Sequence, residues 1–352
     1  MGGEGTRLRP LTYTTPKQLL PVVEVALLER VLIHLAAAGV EEAILSLGYR
    51  PDAFVAAYPD GVSAGVRLDY AVEPDPLDTA GAIRFAARHG DVDETFIAVN
   101  GDVLTDVDVA ALVDHHRRYE ALATIHLTAV DDPSRFGVVD MEADGTVRAF
   151  VEKPPPGSAP SNLINAGTYI LEPDVLDRIA ADRRVSIERE IFPALCAEGR
   201  VHAVASDAYW LDAGTPEAYL QAHRDLLDGT RPGPPAPGAT VVADGVWTLG
   251  RPEVAGDVAP FSLVGDGAVV AAGARVASSV IGAGSVVETD AVVEFSVLLP
   301  GVRVGRGARI VSSILGHRAV VAEDCELAAL TVVGDDAVLR PGARLREARV
   351  PA

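Results

Sequence analysis

Residues 2–17 read Gly-Gly-Glu-Gly-Thr-Arg-Leu-Arg-Pro-Leu-Thr-Tyr-Thr-Thr-Pro-Lys. Gly2, Gly3 and Gly5 carry no Cβ and adopt positive φ cheaply, so successive backbone N–H groups can converge on an anion. Arg7, Arg9 and Lys17 then supply three positive charges against Glu4 alone among the first 20 residues. The stretch is a phosphate cradle. Lysine use sharpens the point: of 30 basic residues only Lys17 and Lys153 are lysines, and both sit in motifs, the second in Phe150-Val151-Glu152-Lys153-Pro154. A compact ammonium at these two places is not replaced by a planar guanidinium.

The rest of the chain bounds what such a cradle can serve. With 352 residues and 49% hydrophobic content, two domains are expected, each large enough to bury a core. A net charge of −20 argues against nucleic acid and anionic membrane as partners, since both require a basic field. No apolar run approaches the ~20 residues of a membrane helix, and the N-terminus lacks the apolar stretch of a signal peptide, so a cytoplasmic protein is expected. Cys196 and Cys325 lie far apart with no metal-type spacing and read as reduced packing residues.

From Leu27 to about residue 228, strand-like runs alternate with helical patterns, the mark of an α/β sheet. Helices are expected over Glu29 to Ala38, Thr79 to Arg88 and Val109 to Tyr119. Thr95 to Val99 reads as a strand delivering Asn100-Gly101-Asp102 to the carboxyl end of the sheet, where ligands bind. Thr215 with Pro216 reads as a helix N-cap, and His115-His116 as a solvated helix face without a catalytic or metal role.

Residues 229–238 (GTRPGPPAPG) form a Pro/Gly linker, so the chain divides into a catalytic domain over 1–228 and a second domain over 239–352. In the second, Val264, Ile281, Leu298, Leu315 and Val332 hold one phase of a 17-residue repeat. Val270, Val287, Val304, Val321 and Val338 hold another, with small residues such as Ser279, Ser296 and Ser313 between them. Three faces of about six residues make one coil of a parallel β-helix with aliphatic side chains stacked inside. Cys325 aligns with Ala274, Ala291 and Ala308 as a small buried residue.

The opening stretch resembles the signature of the sugar nucleotidyltransferases, the NDP-sugar pyrophosphorylases. Further landmarks follow in order: Glu73 to Gly81, Asn100-Gly101-Asp102, Phe136-Gly137-Val138, Glu152-Lys153-Pro154, Asn165-Ala166-Gly167 and Trp210-Leu211-Asp212-Ala213-Gly214. They cover the first two-thirds of the chain, and the general look is nearest to mannose-1-phosphate guanylyltransferases and bacterial NDP-sugar synthases. The resemblance implies a Rossmann-like domain with a mixed, mostly parallel sheet, followed by a left-handed β-helix of hexapeptide-type repeats. It implies a reaction of an NTP with a sugar 1-phosphate, mannose 1-phosphate with GTP in the first instance, giving GDP-mannose and pyrophosphate.

Residue by residue, the resemblance assigns Gly2, Gly3, Gly5, Thr6, Glu73, Thr79, Ala80 and Gly81 to the nucleotide. Gly137, Glu152, Lys153, Asn165 and Gly167 go to the sugar phosphate. Arg7 and Lys17 hold the β- and γ-phosphates, and Asp102 and Asp212 supply hard oxygens to Mg²⁺. Each has a plainer reading: Asp102 as a solvated turn, Asp212 as a helix cap, Thr79 as a helix start, Asn165 and Gly167 as a turn, Gly137 as a strand bend.

Two departures stand out. The family pattern has an apolar strand before the glycine turn, so a natural start upstream of Met1 is expected. Asp78 also stands where relatives often carry Gly, which leaves the base open; glucose 1-phosphate with UTP, dTTP or ATP stays an alternative. So does a regulatory nucleotide-sugar-binding paralogue without catalysis, against which the joint presence of Arg7, Lys17, Asp102, Lys153 and Asp212 argues. An acyltransferase role for the β-helix would need histidine, and only His317 follows residue 223. The β-helix is expected to pack on the catalytic domain or to form contacts of a homo-oligomer.

Overall fold

A computed structural model of the chain describes residues 4–181 and 183–352. Two compact units emerge, one comprising Leu28–Trp210, the other joining Glu4–Leu27 to Leu211–Ala352. Gly2 and Gly3 lie outside the described residues. The cradle from Glu4 onward therefore shares a unit with the repeats, and so does the 229–238 segment, where Ala236 is buried.

The described residues of the first unit include a three-stranded and a six-stranded sheet. In the smaller, Glu42–Leu47 runs parallel to Val66–Val72, which pairs antiparallel with Val62–Ser63. The larger orders Val147–Glu152, Gly137–Met141, Leu163–Leu171, Ala123–Ala129 and Val201–Ala205, with Phe96–Val99 also on Leu163–Leu171. It is mixed as expected, but among the described ladders of this sheet only Ala123–Ala129 with Val201–Ala205 is parallel, which corrects the mostly parallel expectation. For Gly137–Met141 and Val147–Glu152 the reason is local. Met141 returns to Val147 through a turn at Asp144-Gly145, closed by Thr146 N–H donating to Asp144 Oδ1 at 2.9 Å, and so short a link can join only antiparallel strands.

The core of this unit gathers Ile125, Leu127, Tyr169, Phe192 and Leu195. Helix Val109–Tyr119, capped by Asp108 on the Ala111 N–H, buries Val109, Leu112 and His116 at helical spacing. His116 is thus no part of a solvated face. It lies four residues after Leu112 on the inward stripe, 1% exposed, with Nδ1 2.8 Å from Thr124 Oγ1 and Nε2 3.0 Å from Glu172 Oε1. His115 packs with Tyr119 and His202, and its pKa is lowered by burial and by His202. His126, fully buried beside Ser206, is pushed down to about 4 by desolvation.

In the second unit the repeats form a parallel β-solenoid with three ladders of short strands. Val264, Ile281, Leu298, Leu315 and Val333 stack in one, Val270, Val287, Val304, Val321 and Leu339 in another, Val276, Val293, Ile310, Leu327 and Leu345 in the third. Burying each such side chain contributes about 1.5–3 kcal/mol.

The partner of Leu315 is Val333 rather than Val332, and that of Val321 is Leu339 rather than Val338, which is 69% exposed. One extra residue is the cause. At this corner Ser278, Phe295 and Ser312 each take a single left-handed conformation, whereas the next turn uses two, Ala329 and Leu330. Ser279, Ser296 and Ser313 are not mere spacers. All are buried, and the Ser279 and Ser296 hydroxyls accept the N–H of Ser296 and Ser313 one rung on. Cys325 continues the alanine column and is fully buried.

Candidate active site

The cradle is built on two short 3-10 turns, Thr6–Leu8 and Leu11–Tyr13, anchored by the fully buried Leu8 and Leu11. Gly5 enters it at φ +59, and a Cβ there would stand 2.9 Å from Thr12 Cγ2, so both conformation and space require glycine. Thr12 Oγ1 donates to Gly5 carbonyl at 2.8 Å and locks the turn. Thr6 is exposed. Arg9 pairs with Glu4 and lies over the Tyr13 ring, 5.2 Å from its centroid.

In the same unit, Lys17 starts a third 3-10 turn and Asp212 ends strand Trp210–Asp212. Lys17 Nζ donates to Asp212 Oδ1 at 3.3 Å, and Arg7 Nη2 lies 3.9 Å from Asp212 Oδ2. Lys17 is 7% exposed against 62% for Arg7, so Lys17 is the fixed charge and Arg7 the one facing solvent. They converge on Gly214. A Cβ there would lie 2.7 Å from Arg7 Nη2, 2.7 Å from Asp212 Oδ1 and 2.9 Å from Lys17 Nζ. Gly214 is a site residue the sequence reading passed over, although Asp-Ala-Gly directly after a strand was the available signal. Thr215 caps helix Pro216–Leu227 by accepting the Ala218 N–H at 3.2 Å.

The other expected residues belong to the first unit. Asp102 follows Phe96–Val99 in a half-buried turn. Gly167, at φ +78, lets the Asn100 side chain lie against the backbone, because a Cβ would stand 2.5 Å from Asn100 Nδ2. Asn165 accepts the Gly167 N–H at 3.0 Å and donates to the Tyr169 hydroxyl at 2.8 Å, spanning the irregularity in strand Leu163–Leu171. Burial drives the Tyr169 pKa up, with Glu188, Glu152 and Asp102 carboxylates adding in the same sense. These groups therefore share one electrostatic neighbourhood.

Gly137 packs under Phe150 and Glu152: a Cβ would meet Phe150 Cζ at 2.5 Å and Glu152 Oε2 at 3.0 Å. Glu152 pairs with Lys153 Nζ at 3.2 Å, and Lys153 itself takes φ +50.

Around the expected base-binding stretch, the Glu73 carboxylate is buried, accepting from Ser46 Oγ at 2.9 Å and Leu77 N–H at 3.1 Å. Ala80 and Gly81 are buried, and both N–H groups point to the Val185 carbonyl. Thr79 donates to Glu188 Oε2 at 2.6 Å and accepts the Ile187 N–H at 2.9 Å. Glu188 was not expected from the sequence; its Ser-Ile-Glu-Arg-Glu setting carries no spacing signal. Asp78 adopts φ +63, the conformation that glycine takes most cheaply. Among the described residues, no group of three or more His, Cys, Asp and Glu side chains is arranged to hold a metal, and no helix is long and apolar enough to cross a membrane.

A glycine that keeps space open where lysine, arginine and aspartate meet marks a protein that handles phosphate groups. The comparisons give that class its family. Residues 1–229 match the nucleotidyl transferase model, to whose family the chain belongs, and residues 258–352 match the GMPPB C-terminal domain. A mannose-1-phosphate guanylyltransferase of Mycobacterium tuberculosis is 39% identical over 84% of this chain and 81% of its own length. A mannose-1-phosphate guanyltransferase of Aspergillus fumigatus is 41% identical over 62% of this chain and 61% of its own. HddC from Yersinia pseudotuberculosis, also solved as a complex with GMP-PN, superposes with TM-score 0.54 at 29% identity, over 62% of this chain and 92% of that one.

Proposed function

We propose that the protein joins mannose 1-phosphate to GTP, giving GDP-mannose and pyrophosphate. The observation that carries this is the convergence of Arg7, Lys17 and Asp212 on Gly214. The names of the similar guanylyltransferases, and the GMP-PN complex of HddC, support guanine and mannose.

A phosphate oxygen of the sugar 1-phosphate attacks the α-phosphorus of the nucleotide. A P–O bond forms there as the bond to the β-phosphate bridge breaks, and the electron pair leaves with pyrophosphate. The nucleophile is already an anion, so no general base is required, and catalysis is positioning plus charge neutralisation. Lys17, held in place by burial, and the solvent-facing charge of Arg7 neutralise the departing pyrophosphate. Gly5 and Thr6 offer backbone donors to the phosphates; Glu73, Thr79, Ala80 and Gly81 line the base. Gly137, Glu152, Lys153, Asn165 and Gly167 hold the sugar phosphate, Lys153 by charge and Glu152 and Asn165 by hydrogen bonds to hydroxyls. Asp102 and Asp212 are hard oxygen donors that suit Mg²⁺, which when bound supplies further charge neutralisation at the phosphate oxygens.

The test is pyrophosphate release from five nucleoside triphosphates crossed with mannose and glucose 1-phosphates, in Mg²⁺. Signal confined to GTP with mannose 1-phosphate is expected. Signal elsewhere reassigns the substrate, and none from a folded protein that still binds a nucleotide-sugar replaces catalysis with regulation. The same reading gives the solenoid a role in homo-oligomer contacts, checked by sedimentation.

A further inference from the structure

The cradle segment is held by one corner column of the solenoid, and both belong to the same compact unit. The column is Asp266, Ala283, Pro300, His317 and Asp335, one residue per rung. At this corner a backbone N–H needs an acceptor that the strand ladders do not supply. Asp335 Oδ1 accepts the N–H of His317, its equivalent one rung back, at 2.8 Å, and Asp266 Oδ1 accepts the N–H of Arg251, the residue just after its own equivalent, at 2.8 Å. Ala283 would look to residue 300, which is proline and has no carboxylate to offer. Glu24, from the chain just beyond Lys17, fills the gap: its Oε2 accepts the Ala283 N–H at 3.1 Å. Burial raises the Glu24 pKa while that bond lowers it, as expected for a carboxylate that gave up water for a single donor.

The second tie is at the other end of the column. Asp335 is 5% exposed, and the oxygen not used by His317 accepts from the Thr14 hydroxyl. Beside it, Pro10 packs so closely that a Cβ on Gly334 would meet its Cβ at 3.2 Å. Thr14 and Glu24 thus bracket Lys17. Between Lys17 and helix Leu27–Ala37 lies a hairpin whose turn residues Val23 and Glu24 are both left-handed, φ +47 and +65. A β-branched residue in that conformation persists only where its surroundings over-determine it. Here His223 Nδ1 accepts the Val23 N–H at 3.2 Å and the Tyr219 hydroxyl donates to the Pro21 carbonyl.

We infer that Asp335 is a positioning residue for the reaction, acting through Thr14 to fix the segment that carries Arg7 and Lys17. The inference rests on the nucleotidyl transfer proposed above.

Three variants separate positioning from solenoid stability. Asp335→Ala removes the tie to Thr14 together with a corner hydrogen bond, Thr14→Val removes the tie and the hydroxyl's 3.3 Å contact with the Leu11 carbonyl but leaves the corner bond, and Asp266→Ala removes only a corner bond. Expected for the first two is a fall of about tenfold in kcat/KM for the nucleotide, the scale of one hydrogen bond to a charged group. KM for the sugar phosphate should stay within about twofold, and Thr14→Ser should restore activity. Asp266→Ala should leave both constants unchanged. Equal losses in Asp266→Ala and Asp335→Ala, or normal kinetics in Thr14→Val, would overturn the inference. Hydrogen exchange of residues 10–19 decides independently of turnover: faster exchange in Asp335→Ala but not in Asp266→Ala supports the role, and unchanged exchange in both ends it. A wild-type protein without pyrophosphate release would sink the proposed reaction and leave the exchange result standing.

Discussion

The solenoid and the α/β unit satisfy the same backbone requirement at opposite ranges. In the solenoid each strand pairs with its equivalent one rung along, as Val287 does with Val304 and Val304 with Val321. In the α/β unit strand Leu163–Leu171 pairs with Phe96–Val99 and Ala123–Ala129, which lie two or more rung lengths away in sequence. A repeat that touches only its neighbours absorbs an error where it occurs, which is what Ala329 and Leu330 do at one corner. A network of distant partners has no such slack. Gly167 against Asn100 is fixed by a residue from elsewhere in the chain.

The largest effect should fall on chemistry alone. Asp102→Asn or Asp212→Asn removes one negative charge without changing volume, and turnover should drop by about 10²–10³-fold with melting nearly unmoved. Near-normal turnover in steady-state assays of either variant would withdraw that residue from the site. Acid should come next, and act on the α/β unit. His126 has a folded pKa of about 4 against its ordinary 6.5, so only the unfolded chain takes up a proton between those values. The stability this gives is full above pH 6.5 and lost as pH falls towards 4, on the order of 3 kcal/mol. Denaturant melts across that range should show the α/β unit weakening first, and His126→Gln should flatten the slope.

Glycine substitution then tests the two regions directly. Gly167→Ala combines φ +78 with the Asn100 contact and should cost about 2–3 kcal/mol. Gly267→Ala, at φ +64 with open space around it, should cost about 1 kcal/mol. Equal costs would break the contrast. Smallest of all, deleting Leu330 restores the 17-residue spacing and replaces two left-handed residues by one; a change within about 1 kcal/mol is expected from calorimetry.

The same contrast governs what the sequence made legible. The solenoid could be read because its rungs repeat, and the reading slipped only where the repeat did, at Val332 for Val333. Helices with clear periodicity fell near their expected bounds, Val109–Tyr119 included. His116 was misjudged because charged neighbours at Asp114, Arg117 and Arg118 masked a position four residues after Leu112. The antiparallel ladders, the meeting of Lys17 with Asp212 at Gly214, and the Thr79–Glu188 bond join segments about 100 residues apart or more, or depend on chain direction. Local periodicity carries none of that information.

Each unit also holds one thiol sealed in its core. Cys196 packs in the α/β unit, where burial pushes its pKa up to about 11, and Cys325 lies in the solenoid with Sγ donating to the Arg340 carbonyl at 3.1 Å. An alkylating reagent reaches either sulfur only when its unit opens. Two mass increments, read by peptide, therefore make the native chain its own pair of unfolding clocks, one per architecture, with no engineered label.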